Sequence, residues 1–120
     1  MDDLYSEVIV DHYKNPRNFG EMDNPTFKGR GANASCGDMV EFYIKGDKKI
    51  DEISFQGIGC ALSTASSSML SEKVKGCSFK EVMDMDVADL EEMMGIEISP
   101  TRMKCVELPL NTLKDILRNK

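Results

Sequence analysis

The sequence has no tryptophan, a single histidine, four prolines and four cysteines in 120 residues. No run approaches the ~18 consecutive apolar residues of a membrane-crossing helix, so a spanning segment of that kind is not expected. Positive charge is the scarcer sign, with 15 Lys and Arg against 21 Asp and Glu and a formal net charge of −6. That balance argues against general nucleic-acid binding, which needs a basic surface to displace counterions. It fits a protein that meets partners through complementary local patches. The acidic opening Met1-Asp2-Asp3 is unlike a signal or transit peptide. Without such a signal, and with two of the four cysteines in Gly-flanked settings beside acids or helix starts, metal-binding thiols in a reduced cytoplasm are the better reading than a disulfide framework.

Hydrophobic residues at 41% and charged residues at 30% suit a folded chain. No linker, repeat or low-complexity stretch divides it, so residues 1–120 are expected to form one domain. Asp2 and Asp3 open an expected first helix with Leu4, Val8 and Ile9 on one stripe, ended by Asn15-Pro16. Phe19 to Ser35, rich in Gly, Asn and Pro, reads as a mobile loop. Val40, Phe42 and Ile44 alternate with polar neighbours as in a half-buried strand. Gly46-Asp47 makes a turn, and Ile53 and Phe55 continue in a second strand.

Helical periodicity dominates the rest. Leu62, Ala65, Met69, Leu70 and Val74 form a stripe through Cys60–Lys75. Val82 and Met83 mark a short helix, and Val87, Leu90, Met93 and Met94 another that Gly95 closes. Val106, Leu110, Leu113 and Leu117 place a last helix at the C-terminal end. The order is helix, small antiparallel sheet, then helices, an α+β arrangement. Every apolar stripe, methionines included, reads as core.

Four residues stand out chemically. In Cys36-Gly37-Asp38 the glycine lets the backbone turn so that a soft thiolate and a hard carboxylate can converge on one ion. Cys60 follows Gly57-Ile58-Gly59 at a helix start, where free N–H groups and the positive dipole end favour the thiolate. Cys105 follows Lys104, and Arg102 lies close by; both cations are expected to favour its thiolate and to offset the charge of the ligand set. Pro109 cannot donate to the Cys105 carbonyl, so Cys105 is expected on a turn before the final helix. Three thiolates and a carboxylate around a 2+ centre total −2. Tetrahedral coordination suits Zn²⁺ and a [2Fe–2S] core equally. The dispersed spacing is not that of a zinc ribbon. Cys77 lacks such a context and reads as a small apolar or surface residue, and His12 as a structural histidine. Ser63, Ser66, Ser67 and Ser68 have no evident base, which argues against a hydrolase and for close helix packing.

The same segments resemble the NifU/IscU-type scaffold family almost end to end. Leu4 to Asn18 (Leu-Tyr-Ser-Glu-Val-Ile-Val-Asp-His-Tyr-Lys-Asn-Pro-Arg-Asn) is similar to its N-terminal signature. Ala34-Ser35-Cys36-Gly37-Asp38 is similar to its first ligand motif. Phe55 to Gly76, with Gly59-Cys60 and Ala65-Ser66-Ser67-Ser68, is similar to its second, and Arg102-Met103-Lys104-Cys105 to its third. The resemblance implies a three-stranded antiparallel sheet covered by helices, with the third strand drawn from Lys28–Ala34. It also implies a scaffold that takes sulfur from a cysteine desulfurase, builds a transient [2Fe–2S] cluster on Cys36, Asp38, Cys60 and Cys105, and passes it to apo-proteins.

Two branches of the family compete. Lys104 stands where the IscU branch has histidine. Ile98-Ser99-Pro100-Thr101-Arg102 replaces that branch's chaperone-recognition run. The Arg-x-Lys-Cys run resembles the SufU branch, zinc-dependent sulfurtransferases in which a cysteine displaced from zinc accepts persulfide sulfur. The interval from Cys60 to Cys105 is too short for the SufU insertion. A non-enzymatic cluster scaffold therefore ranks first, a zinc sulfurtransferase second, and a zinc-stabilised interaction module third. Cys36, on the Gly- and Asn-rich approach, is the expected first sulfur acceptor. Monomer and homo-oligomer both stay open.

Overall fold

The structure is a computed structural model that describes residues 7–34 and 37–118. Period-2 alternation builds its sheet. In β2 (Asp38–Lys45), Val40, Phe42 and Ile44 point to one face at 1% exposure or less. In β3 (Glu52–Ile58), Ile53 and Phe55 pair directly opposite Ile44 and Phe42, so they share that face. The Phe42 and Phe55 rings stand 5.9 Å apart. Burying each such side chain is worth roughly 1.5–3 kcal/mol. The opposite face is polar, with Tyr43 donating to Glu41 at 2.7 Å.

A third strand, β1 (Phe27–Asn33), pairs antiparallel with β2 from Phe27 opposite Ile44 to Asn33 opposite Asp38, giving the order β1-β2-β3. Phe19 to Ser35 is therefore not a continuous loop, and the strand falls where the family resemblance required it. The misleading glycines have a packing role. A Cβ on Gly29 would run into Ile116, and one on Gly31 into Thr112. They let β1 lie close against the last helix, a recognised use of strand glycine.

Five helices complete the described residues: α1 (Glu7–Lys14), α2 (Ala61–Val74), α3 (Phe79–Met83), α4 (Val87–Met94) and α5 (Pro100–Arg118). The expected helix opening at Asp2, Asp3 and Leu4 lies outside the described residues. Capping boxes start α3 (Ser78 with Glu81) and α4 (Asp86 with Asp89), and Gly95 at φ 74° closes α4. Leu62, Ala65, Met69, Leu70 and Val74 of α2 are buried, as are Val106, Leu110, Leu113 and Leu117 of α5. Two stripe residues are not core: Val8 is 53% and Val87 37% exposed.

The α2 serines are buried, and most of their hydroxyls are paired: Ser67 donates to the Ser63 carbonyl at 2.9 Å and Ser71 to that of Ser68 at 2.7 Å. They let α2 pack between α1, α5 and β3 with little bulk. The larger correction concerns α5. It runs through Cys105 and Pro109 without a break, so Cys105 lies on a helix rather than on a turn. Tertiary burial of the flanking residues outweighs the donor that Pro109 lacks.

Candidate metal centre

Sheet register brings the first ligand in. Asp38 opens β2, and Gly37, at φ 73°, turns the chain into it while its N–H bonds the Asn33 carbonyl at 2.9 Å. Cys60 is the N-cap of α2, its sulfur accepting the Ser63 N–H at 3.4 Å. The Cys60 N–H is in turn held by Asp38 Oδ1 at 3.0 Å. This contact explains the glycine run. A Cβ at Gly59 would sit 2.5 Å from Asp38 Oδ1, and one at Gly57 would sit 2.6 Å from the Met39 carbonyl. The room serves the carboxylate and the β2 backbone.

Cys105 completes the group from α5. One carboxylate oxygen of Asp38 and the sulfurs of Cys60 and Cys105 all lie within 4.8 Å of one another. Ligands ~2.3 Å from a tetrahedral ion stand about 3.8 Å apart, so the three need to close by at most about 1 Å. Asp38 is 1% and Cys105 8% exposed, whereas Cys60 faces solvent. The centre is thus walled on two sides and open on one. Asp38 Oδ2 is buried with no hydrogen-bond partner among the described residues. A buried carboxylate beside two thiols is a donor set that fits a divalent cation.

The electrostatics of Cys105 differ from the sequence expectation. Burial pushes its thiol well up, and contacts with Asp38 and Cys60 push it the same way. Lys104 and Arg102, both exposed, do not reverse this. Lys104 contributes instead through its carbonyl, which accepts from Asn33 Nδ2 at 2.9 Å. A metal at this centre must displace the Cys105 proton. Cys36 lies outside the described residues. Cys77 stands apart, its sulfur donating to the Lys73 carbonyl at 3.4 Å.

His12 is 8% exposed, and its Nδ1 meets Ser68 Oγ at 2.7 Å, while Nε2 lies 3.6 Å from Glu72. A base therefore does stand beside one of the serines, contrary to the sequence reading. Ser68 is nevertheless at 0% exposure, and its Oγ also accepts the Arg17 N–H at 2.8 Å. The hydroxyl is tied into the structure and no substrate reaches it. Sequence reasoning missed Asn33 and Ser66, whose side chains reach carbonyls on either side of Cys105. Asn33 precedes a ligand loop and Ser66 sits in a serine run, but nothing local told them from ordinary turn and packing residues.

Comparison with known proteins agrees with this geometry. The model of the NifU-like N terminal domain matches residues 4–119. The zinc-dependent sulfurtransferase SufU of Bacillus subtilis (strain 168) is 33% identical, over 95% of this chain and 89% of the relative. The iron–sulfur cluster assembly scaffold protein IscU 1 of Archaeoglobus fulgidus is 35% identical, over 92% of this chain and 72% of the relative. A crystal structure of an iron–sulfur cluster assembly scaffold protein for the SUF system, from Fervidobacterium islandicum AW-1, superposes with a TM-score of 0.79 at 32% identity. That match covers 95% of this chain and 96% of the other. By sequence and by fold alike, the chain belongs to the NifU-like N-terminal domain family.

Proposed function

We propose that this protein is an iron–sulfur cluster assembly scaffold. In this reading it accepts sulfur from a cysteine desulfurase, gathers iron and sulfide into a [2Fe–2S] cargo on Cys36, Asp38, Cys60 and Cys105, and releases it to apo-proteins in the cytoplasm. The observation that carries the reading is the convergence of Asp38, Cys60 and Cys105 within 4.8 Å, with the Asp38 carboxylate buried. Exposure of Cys60 gives the cargo a way in and out. A hard oxygen among soft sulfurs holds such a cargo loosely, as release requires.

Sulfur arrives when a desulfurase persulfide gives up its outer sulfur to a thiolate of the scaffold. One S–S bond breaks as another forms, the desulfurase keeps a thiol, and an external two-electron donor then reduces the delivered sulfur to the sulfide of the cargo. Cys36 is the proposed acceptor. Cys105 is buried within α5, and Cys60 is tied by its N–H to Asp38 and by its sulfur to Ser63.

A zinc sulfurtransferase is the second reading, favoured by Lys104 beside Cys105 and by the SufU relative. Against it, the SufU alignment spans 132 positions for a chain of 120 residues, so at least 12 of that relative's residues have no counterpart here. The alignment with the Archaeoglobus fulgidus IscU 1 spans 112, whereas that with a Streptococcus pyogenes relative named IscU spans 136. Anaerobic purification with metal analysis, visible absorption and mass spectrometry of short desulfurase reactions separates the readings. Scaffolding predicts a visible cluster spectrum under iron and sulfide supply, lost in Cys36→Ser, with persulfide first on Cys36. Tightly held zinc with no cluster under any supply would favour the transferase. Persulfide found first on Cys60 or Cys105 would sink the acceptor assignment in both.

A further inference from the structure

Metal ligands contributed by three separate elements must be held at fixed mutual distances, and α5 begins at a disadvantage. Pro109 has no N–H to give the Cys105 carbonyl four residues back, so the helix lacks a rung at the ligand itself. The carbonyls on either side of that gap each receive an additional donor from a side chain. Asn33 Nδ2 donates to the Lys104 carbonyl at 2.9 Å, and Ser66 Oγ donates to the Val106 carbonyl at 2.9 Å. One donor comes from the helix that Cys60 caps, the other from the strand paired with that of Asp38. Asn33 ends β1 opposite Asp38, and Ser66 lies on α2, the helix that Cys60 caps. With the Asp38–Cys60 hydrogen bond at 3.0 Å, α2 is tied to both β2 and α5, and α5 reaches β2 through the paired strand β1.

We propose that Asn33 and Ser66 are positioning residues: by clamping the carbonyls that flank Cys105 across the Pro109 gap, they set its sulfur against Asp38 and Cys60. The inference rests on the reading of that triad as a metal centre. Neither residue touches the metal. Each acts through the helix backbone, as outer-shell hydrogen bonds act on the ligands they orient. Asn33 is the sharper handle because it is partly exposed and fills no core space, so its replacement leaves the core intact. Asn33→Asp keeps the shape but presents a carboxylate oxygen to the Lys104 carbonyl, turning attraction into repulsion. Ser66 is at 0% exposure, and Ser66→Thr keeps its hydroxyl where Ser66→Ala removes it.

The test titrates the purified metal-free chain with Co²⁺, whose sulfur-to-cobalt absorption counts thiolate ligands and whose visible bands report tetrahedral geometry. Thermal unfolding of each metal-free variant is measured in parallel. Outer-shell losses typically weaken metal binding 10–100-fold. Asn33→Ala and Ser66→Ala are expected to weaken Co²⁺ about tenfold and to shift the visible bands, and Asn33→Asp to weaken it further. Ser66→Thr is expected to restore wild-type spectra. Wild-type affinity and spectra in both Asn33 variants would overturn the proposal. So would weaker binding that only follows lost thermal stability, with the bound spectrum unchanged. A wild-type chain giving no sulfur-to-cobalt absorption would remove the metal centre itself and this inference with it, a failure distinct from the first two.

Discussion

Asp38 serves two states of the protein in opposite ways. Metal-free, its side chain is at 1% exposure, with one oxygen on the Cys60 N–H and the other without a hydrogen-bond partner among the described residues. A buried charge lacking a counter-charge costs stability, and a buried amide costs less. In the metal-bound state the same charge is what the cation meets. Asp38→Asn keeps the shape and an acceptor for Cys60, so the two roles separate. The variant is expected to melt higher when metal-free, by about 4 °C for each kcal/mol. It is also expected to bind Zn²⁺ at least tenfold more weakly, in line with loss of an anionic ligand. Calorimetric melting and chelator competition check both directions. A lower metal-free melting temperature would show that the carboxylate stabilises the empty centre. The sequence pointed to this residue and to Cys60, which the structure brings together, because Cys36-Gly37-Asp38 and the glycine-led Cys60 are local signals. It misjudged Cys105, whose thiol answers to burial and to Asp38 and Cys60, groups distant in sequence, before it answers to neighbouring cations.

At the scale of elements, the alternating strands and helical stripes were legible because their periods are local. What was not legible were residues whose role is set by another element. Gly29 and Gly31 read as loop because the residues they pack against, on α5, lie some eighty residues on, and their strand shows only in the pairing with β2. Pro109 read as a helix boundary because the packing that carries α5 through it is tertiary. The join of α1 to α2 is a further case, and it titrates. Burial lowers the His12 pKa from its ordinary 6.5, with Arg17 adding to the effect and Glu72 and Asp11 opposing it. The folded state thus favours neutral His12, so the unfolded chain binds the proton more readily. The stability from this join is fully present above the ordinary pKa and is lost as pH falls through the lowered folded value. With one histidine in the chain, no other side chain of unperturbed pKa titrates between pH 5 and 8. Denaturant unfolding of the metal-free protein is expected to show stability falling from pH 7 toward 5. His12→Gln is expected to flatten that slope and to lose about 1 kcal/mol at pH 7 with the Ser68 contact. An equally steep slope in the variant would place the titrating group elsewhere.

For the molecule as a whole, Asp38, Cys60 and Cys105 come from β2, α2 and α5, and the same three elements bury the core. A cation held by all three cross-links the sheet to both long helices. It binds the native arrangement far better than an unfolded chain, whose ligands are scattered. Binding must then appear as global stability, by ~2.7 kcal/mol at a free metal concentration of 100 times Kd. Zn²⁺ is expected to raise the melting temperature of the whole chain in one cooperative step, and a chelator to return it. Cys60→Ser is expected to abolish most of the rise. The serine oxygen still caps α2, so the variant keeps its fold while losing a thiolate. Cys77→Ser is expected to keep the full rise, since Cys77 donates to the Lys73 carbonyl and stands outside the triad. Circular dichroism melts of the three chains, with and without zinc, decide the matter. A zinc-dependent rise that survives Cys60→Ser but disappears in Cys77→Ser would mean that the stabilising ion sits away from the triad. The convergence of Asp38, Cys60 and Cys105 would then be a packing arrangement, without a role in binding.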